Sequence, residues 1–154
     1  MSGILKALSQ RSGKFEGEGI NHEGARFIGR LEISPVIDGH AIQIAFQAQG
    51  MDGTLFHQER STIAYDPKET LCLWSVHSNH PKMVVHELRS EGVSEAGALQ
   101  TLVFGYGSPE DRTGFREEIT VEIWSSGEVG YRYSWGMPGG DFSARSSVKL
   151  SPEM

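Results

Sequence analysis

The sequence predicts an all-β fold: a single up-and-down antiparallel barrel of about ten strands, preceded by a short N-terminal helix. Three observations carry this reading. After Gly13, apolar residues recur with period two. Turn signals cut the chain into short runs joined by hairpin-length links. No segment offers a long crossover, so consecutive hairpins make a meander, and closing it removes the exposed edges. A barrel of that strand number is wider than side chains alone fill, so interior space is expected.

The elements follow in order. "SGILKALSQRSG", Ser2 to Gly13, reads as a short helix in which Ser2 caps, Ile4, Leu5 and Leu8 share a face, and Gly13 stops it. "SGKFEGEG", Ser12 to Gly19, is next. It fails as a phosphate loop because Leu8 stands where glycine is needed before Lys14. It fails as a dinucleotide loop because His22 stands where the third glycine belongs. It reads instead as a first strand with Phe15, Gly17 and Gly19 on its inner parity, the glycines permitting a sharp bend. Phe27, Leu31 and Ile33 then alternate with Arg30 and Glu32, and Ile42, Ile44 and Phe46 with Gln43 and Gln47. Near the end, Ile119, Val121 and Ile123 alternate with Glu118, Thr120 and Glu122, and Tyr131, Tyr133 and Trp135 with Arg132 and Ser134. Turns are expected at Asp38-Gly39, Asp52-Gly53, Asp66-Pro67, His80-Pro81, Gly92, Ser108-Pro109, Ser126-Gly127 and Pro138-Gly139-Gly140.

Residues 1–154 are read as one domain. A charge of −6, without any basic block, argues against a nucleic-acid or anionic-membrane partner. Cys72 is the sole cysteine, so no intrachain disulfide forms and oxidising export is not indicated. No signal-peptide pattern opens the chain and no apolar run is long enough to span a bilayer, so a cytoplasmic location is expected.

Helix, then Gly13-x-Phe15-x-Gly17-x-Gly19, then a meander resembles the calycin superfamily of lipocalins and fatty-acid-binding proteins. It is nearest in outline to nitrobindin-like barrels and to bacterial barrels of the same outline without an assigned role. In that family a Gly-x-Trp opens the first strand and its ring plugs the barrel; Phe15 occupies the Trp position. "FHQERSTIAYDPKETLCLWSV", Phe56 to Val76, is similar to the nitrobindin-like His-x-Glu strand, Pro turn and apolar strand. The resemblance implies haem held by a histidine on the last strand. Here "GGDFSARSSVKL" carries Ser143, Ala144 and Arg145 instead, so haem is disfavoured and no cofactor is expected. Arg145 has three readings: a cation–π seal over Phe15, as the lipocalin resemblance implies; a ligand-carboxylate contact; or solvent exposure beside Lys149.

Inside the barrel, Phe27, Ile42, Ile44, Phe46, Tyr131, Tyr133 and Trp135 are expected to line a space for a small, largely apolar molecule. His57 and Glu59 share a strand face. They read either as a functional pair within the barrel, binding a polar head or acting as general base, or as an outward polar strip. His77 and His86 fall on the next two strands, and an even-sum register would point His86, with Trp74, away from His77's face. No metal site is therefore expected. His22-Glu23 and His86-Glu87 begin a zinc-protease motif that Arg26 and Ser90 leave incomplete. Cys72, between Leu71 and Leu73, reads as inert packing. The function expected is non-enzymatic binding of a small apolar molecule. The alternatives are a cofactor-free isomerase, cyclase or hydrolase using His57 and Glu59, and a purely structural or oligomeric barrel, with a homodimer left open.

Overall fold

The computed structural model describes residues 3–92 and 99–153. Helix α1 (Gly3–Ser9) is followed by ten strands: β1 (Gly13–Asn21), β2 (Arg26–Val36), β3 (Ala41–Gly50), β4 (Leu55–Tyr65), β5 (Leu71–His77), β6 (His80–Gly92), β7 (Gln100–Tyr106), β8 (Arg116–Ile123), β9 (Val129–Gly136) and β10 (Ser143–Pro152). Each strand pairs antiparallel with its sequence neighbours, and β1 closes the barrel against β10. The expected class and strand number therefore hold. The alternation holds too: Phe27, Leu31, Ile33, Ile42, Ile44, Phe46, Ile119, Val121, Ile123, Tyr131 and Tyr133 are all buried.

The helix has the short length expected but stops at Ser9, before Gly13, and i to i+3 hydrogen bonds from the Arg11 N–H to Leu8 and from the Ser12 N–H to Ser9 tighten its exit. Ile4, Leu5 and Leu8 are buried against β2 and β3, while the expected cap, Ser2, lies outside the described residues. Because antiparallel strands alternate in direction, one end of the barrel gathers the start of β1, the end of β2 and the start of β3. There Phe15, Ile33, Ile42, Ile63, Leu71, Leu102, Ile123, Val129 and Leu150 pack with α1 into a continuous apolar plug. The other end is open.

The hairpin signals place most turns correctly. The exception is His80-Pro81: the chain reverses one step earlier, at Ser78 and Asn79, and His80 already pairs with His77. Ser78 is pinned instead to the β4 strand, its N–H on the Gln58 carbonyl and its hydroxyl on the Gln58 N–H. The expected turn at Gly92 borders residues outside the described set.

Barrel closure explains the glycine stretch. Pairing of β1 with β10 holds at Phe15–Pro152 and Glu16–Ser151, lapses, and resumes at Gly19–Val148. A Cβ on Gly17 would overlap the Lys149 carbonyl oxygen, and one on Gly19 would sit 2.6 Å from both the Phe27 ring and the Ser147 carbonyl. Backbone cannot yield to such an overlap as a flexible side chain can. Gly17→Val should destabilise by at least about 1–3 kcal/mol, and Phe15→Ala, which empties part of the plug, by about 3–5 kcal/mol. Thermal melts of both variants check this. Phosphate should leave the wild-type melt unchanged, and phosphate stabilisation with a harmless Phe15→Ala would restore the loop reading.

Candidate functional site

The open end holds a cavity of about 430 Å³. Its wall is aromatic and apolar: Phe27, Phe46, Phe56, Phe115, Trp135 and Met137. Its polar lining includes His57, His77, Asn79, Glu117 and Tyr133, and Asn21, His22, Glu23, His80, Arg145 and Ser146 line it as well. Of the residues expected to line the interior, Phe27, Phe46, His57, Tyr133 and Trp135 do so. Ile42, Ile44, Tyr131 and Glu59 point inward but lie deeper, in the core beneath the cavity. The interior is thus neither empty nor solid. It is filled at the helix end and open at the other.

Between plug and cavity runs a belt of buried polar groups. Glu59, with its side chain fully buried, accepts hydrogen bonds from the Ser61 and Tyr131 hydroxyls on Oε2 and faces His57 Nε2 across 3.4 Å on Oε1. The outward polar strip considered for this pair is therefore corrected: pairing of β4 with Ala48 and Phe46 on one side and His77 on the other sets this parity inward. Burial, followed by the neighbouring Glu59 charge and hydrogen bond, pushes the Tyr131 phenol well above its ordinary pKa.

His57 is held on both ring nitrogens. Asn79 Nδ2 donates to Nδ1 at 3.1 Å, which places the ring proton on Nε2, where Tyr133 Oη lies at 3.1 Å beside Glu59. Neither nitrogen has a free lone pair for a substrate.

A second carboxylate was not anticipated from the sequence. Glu117 sits on the inner parity of Ile119, Val121 and Ile123, and its side chain is almost fully buried. His86 Nε2 donates to its Oε1 at 2.8 Å, and His77 Nε2 lies 3.3 Å from its Oε2. Both histidines face inward because β5 and β6 pair in an odd-sum register: Leu73 opposes His86 and Ser75 opposes Val84, with a shift before His77–His80. This corrects the expectation that His86 points away. Burial raises the Glu117 pKa, but the close contacts of the two imidazoles and their charge outweigh it, and the carboxyl is held down at about 2. Among the described residues, no group of three or more His, Cys, Asp or Glu side chains is placed to hold a metal ion.

The rim is organised by Arg116, buried and bonded to the carbonyls of Pro109, Gly114, Met137 and Gly140, the last two at 2.9 Å. One guanidinium thereby ties the 107–115 connection to the 137–142 connection, and these carry Phe115 and Met137 into the cavity wall. Arg145 also belongs to the rim. Its guanidinium lies 4.1 Å from the Trp135 ring centroid and donates to the Trp135 and Asp141 carbonyls. The expected seal over Phe15 is corrected: Phe15 is at the opposite end. A register shift between Ala144 and Ser146 inserts Arg145 as an extra residue in β10, freeing it from the strand's alternation and exposing Ala144. The last-strand side chains at the cavity are Arg145 and Ser146. Neither is a haem-iron ligand, so the residues do not fit haem held by that route.

Cys72 is buried on the outer parity of β5, and burial pushes its thiol up, followed by the charges of Asp66 and Glu87. That environment is unfavourable for a nucleophile.

No family model matches the chain, and no curated protein matches it in sequence. Solved structures resemble its fold. The crystal structure of Rv2717c from M. tuberculosis aligns over 100% of this chain and 99% of its own, with TM-score 0.76 and 14% identity. The CRL protein of Arabidopsis aligns over 97% of both chains, with TM-score 0.59 and 10% identity. A redesigned barrel, mFAP0, bound to DFHBI, aligns over 94% of this chain and 98% of its own, with TM-score 0.47 and 11% identity. These similarities are of fold. No helix among the described residues is long and apolar enough to cross a membrane.

The Glu117 cluster makes a pH prediction. Its folded pKa is depressed from 4.5 to about 2, so its contribution is complete above pH 4.5 and is lost as pH falls toward 2. The shift corresponds to about 3 kcal/mol. Urea melts across that window should show wild-type stability falling with acid, and Glu117→Gln, less stable at neutral pH, should lose less in the same window.

Proposed function

We infer that this barrel binds a small, largely apolar molecule in the cavity at its open end, without chemistry on it. The observation that carries the reading is the cavity itself: about 430 Å³, with five aromatic rings and one methionine in its wall and polar side chains set among them. Such a wall favours a flat apolar body, and the polar side chains orient it by hydrogen bonds. The binding residues proposed are Phe27, Phe46, His57, Tyr133 and Trp135, with Arg145 at the rim. Ile42, Ile44, Tyr131 and Glu59 support them from below. The helix, the Gly13-to-Gly19 strand and the ten-strand meander support a calycin-like assignment, and the lone buried cysteine supports a cytoplasmic setting.

The enzyme alternative rested on His57 with Glu59. Its support is weaker, because Glu59 is out of contact with the cavity and His57 has both nitrogens engaged. Haem is not the ligand proposed. Mixing with ferric haem should give no tight one-to-one complex that survives gel filtration, and a stable Soret-absorbing complex would overturn that statement.

An apolar fluorophore should bind with a change in Trp135 emission and be displaced by other apolar compounds. Ala48→Phe should block it, because Ala48 is buried in the cavity wall and a ring there fills the space. Unchanged binding in a folded Ala48→Phe variant would place the site elsewhere.

A further inference from the structure

We propose that the cavity selects weakly acidic aromatic molecules, phenols in the first instance, by docking their O–H on His77, which takes up the proton with Glu117 behind it. This rests on the binding reading above and names the ligand class.

Of the histidines at the cavity, His22 pairs with Glu23 and His80 stacks on Phe115 at the mouth; three further imidazoles, His57, His77 and His86, lie deeper, and their hydrogen bonding separates them. His57 has partners on both nitrogens. His86 is fully buried and does not reach the cavity; its Nε2 is committed to Glu117. Of these three, His77 both lines the cavity and retains unused capacity. Its Nδ1 has no hydrogen-bond partner, and its Nε2 approaches Glu117 at 3.3 Å as an ion-pair contact rather than an aligned bond. Ser75 Oγ and His86 Nδ1 are also buried without partners, but neither residue lines the cavity. Buried polar atoms are nearly always satisfied, so an unpartnered nitrogen on a residue that lines the cavity marks a place where a polar ligand group belongs.

A carboxylate on one ring nitrogen with the other nitrogen available is an arrangement that takes a proton from a bound O–H. The carboxylate stabilises the imidazolium as it forms. The O–H bond breaks, the N–H bond forms, and the electron pair stays on the phenolate oxygen. The pair is neutral overall, so the cluster's total charge is unchanged. A permanent anion lacks this advantage, since it would enter beside the ionised Glu117. A weak acid enters neutral and becomes ionised only once in place. The aromatic wall accounts for the ring. The groups facing His77 are His57 and Glu59 from β4, His80 and His86 from β6, Glu117 from β8 and Tyr133 from β9. Only Glu117 is placed to stabilise the charge directly.

The test uses 4-nitrophenol, whose absorption distinguishes phenol from phenolate, and 4-nitrotoluene, of similar shape without the acidic O–H. Both are titrated into the purified full-length protein at a pH well below the midpoint of free nitrophenol. Nitrophenol is expected to bind more tightly than nitrotoluene and to show the phenolate band when bound. His77→Gln should weaken nitrophenol by about ten- to a hundred-fold and remove that band while leaving nitrotoluene unchanged. Glu117→Gln should also remove the band. The wild-type spectrum tests the inference even if a variant fails to fold. If nitrophenol binds no tighter than nitrotoluene and stays neutral, the inference is overturned while the apolar cavity stands. If neither compound binds, the binding reading falls and this inference with it.

Discussion

Closure of β1 against β10 is the constraint from which the rest follows. A meander of ten strands becomes a barrel only if its first and last strands approach closely enough to pair. Here that approach places the Lys149 carbonyl where a side chain on Gly17 would be. Closure also removes freedom elsewhere. Every strand has two neighbours, so a one-residue slip in any ladder would turn a whole set of side chains outward. The meeting of His77, His86 and Glu117 from β5, β6 and β8 is thus a product of fixed register rather than local sequence.

The interior divides along the barrel axis, and the division has an energetic logic. The helix end supplies apolar burial, the main source of stability in a fold of this size. The polar belt supplies less, because removing a carboxylate from water costs several kcal/mol before its partners return any of it. Glu59 recovers much through two hydroxyls and an imidazole, and Glu117 through two imidazoles. Apolar side chains of similar volume would hold such a barrel at least as firmly. The two carboxylates and three histidines between plug and cavity are therefore not explained by stability alone.

The fold was legible because it depends on local patterns. Alternation along single strands and turn residues between them gave the class, the helix and the inward parity of Phe27, Ile42, Ile44, Phe46, Tyr131 and Tyr133. The site was half legible. His57 with Glu59 was visible as a same-face pair on one strand. Glu117 was visible in principle, since it lies on the parity of Ile119, Val121 and Ile123, but a carboxylate before an apolar run reads as the strand's polar edge. What stayed hidden depends on relations between strands. The odd-sum register of β5 with β6 turns His86 inward, and the extra residue in β10 moves Arg145 from a supposed plug to the rim. Neither can be read from the strands taken one at a time.

The rim is held in place by the protein's own contacts. Arg116 is bound by four carbonyls from two connections, and Arg145 by two more while it covers Trp135. Phe115 stacks on His80 at 5.0 Å, joining the same rim to β6. These contacts order the loops before any ligand arrives, so binding loses little to the ordering of loops and side chains. With the wall already fixed, discrimination falls to the few polar atoms facing the cavity. Most of those are engaged with one another. In the binding proposed above, His77 Nδ1, which has no hydrogen-bond partner, is the atom that distinguishes one apolar molecule from the next.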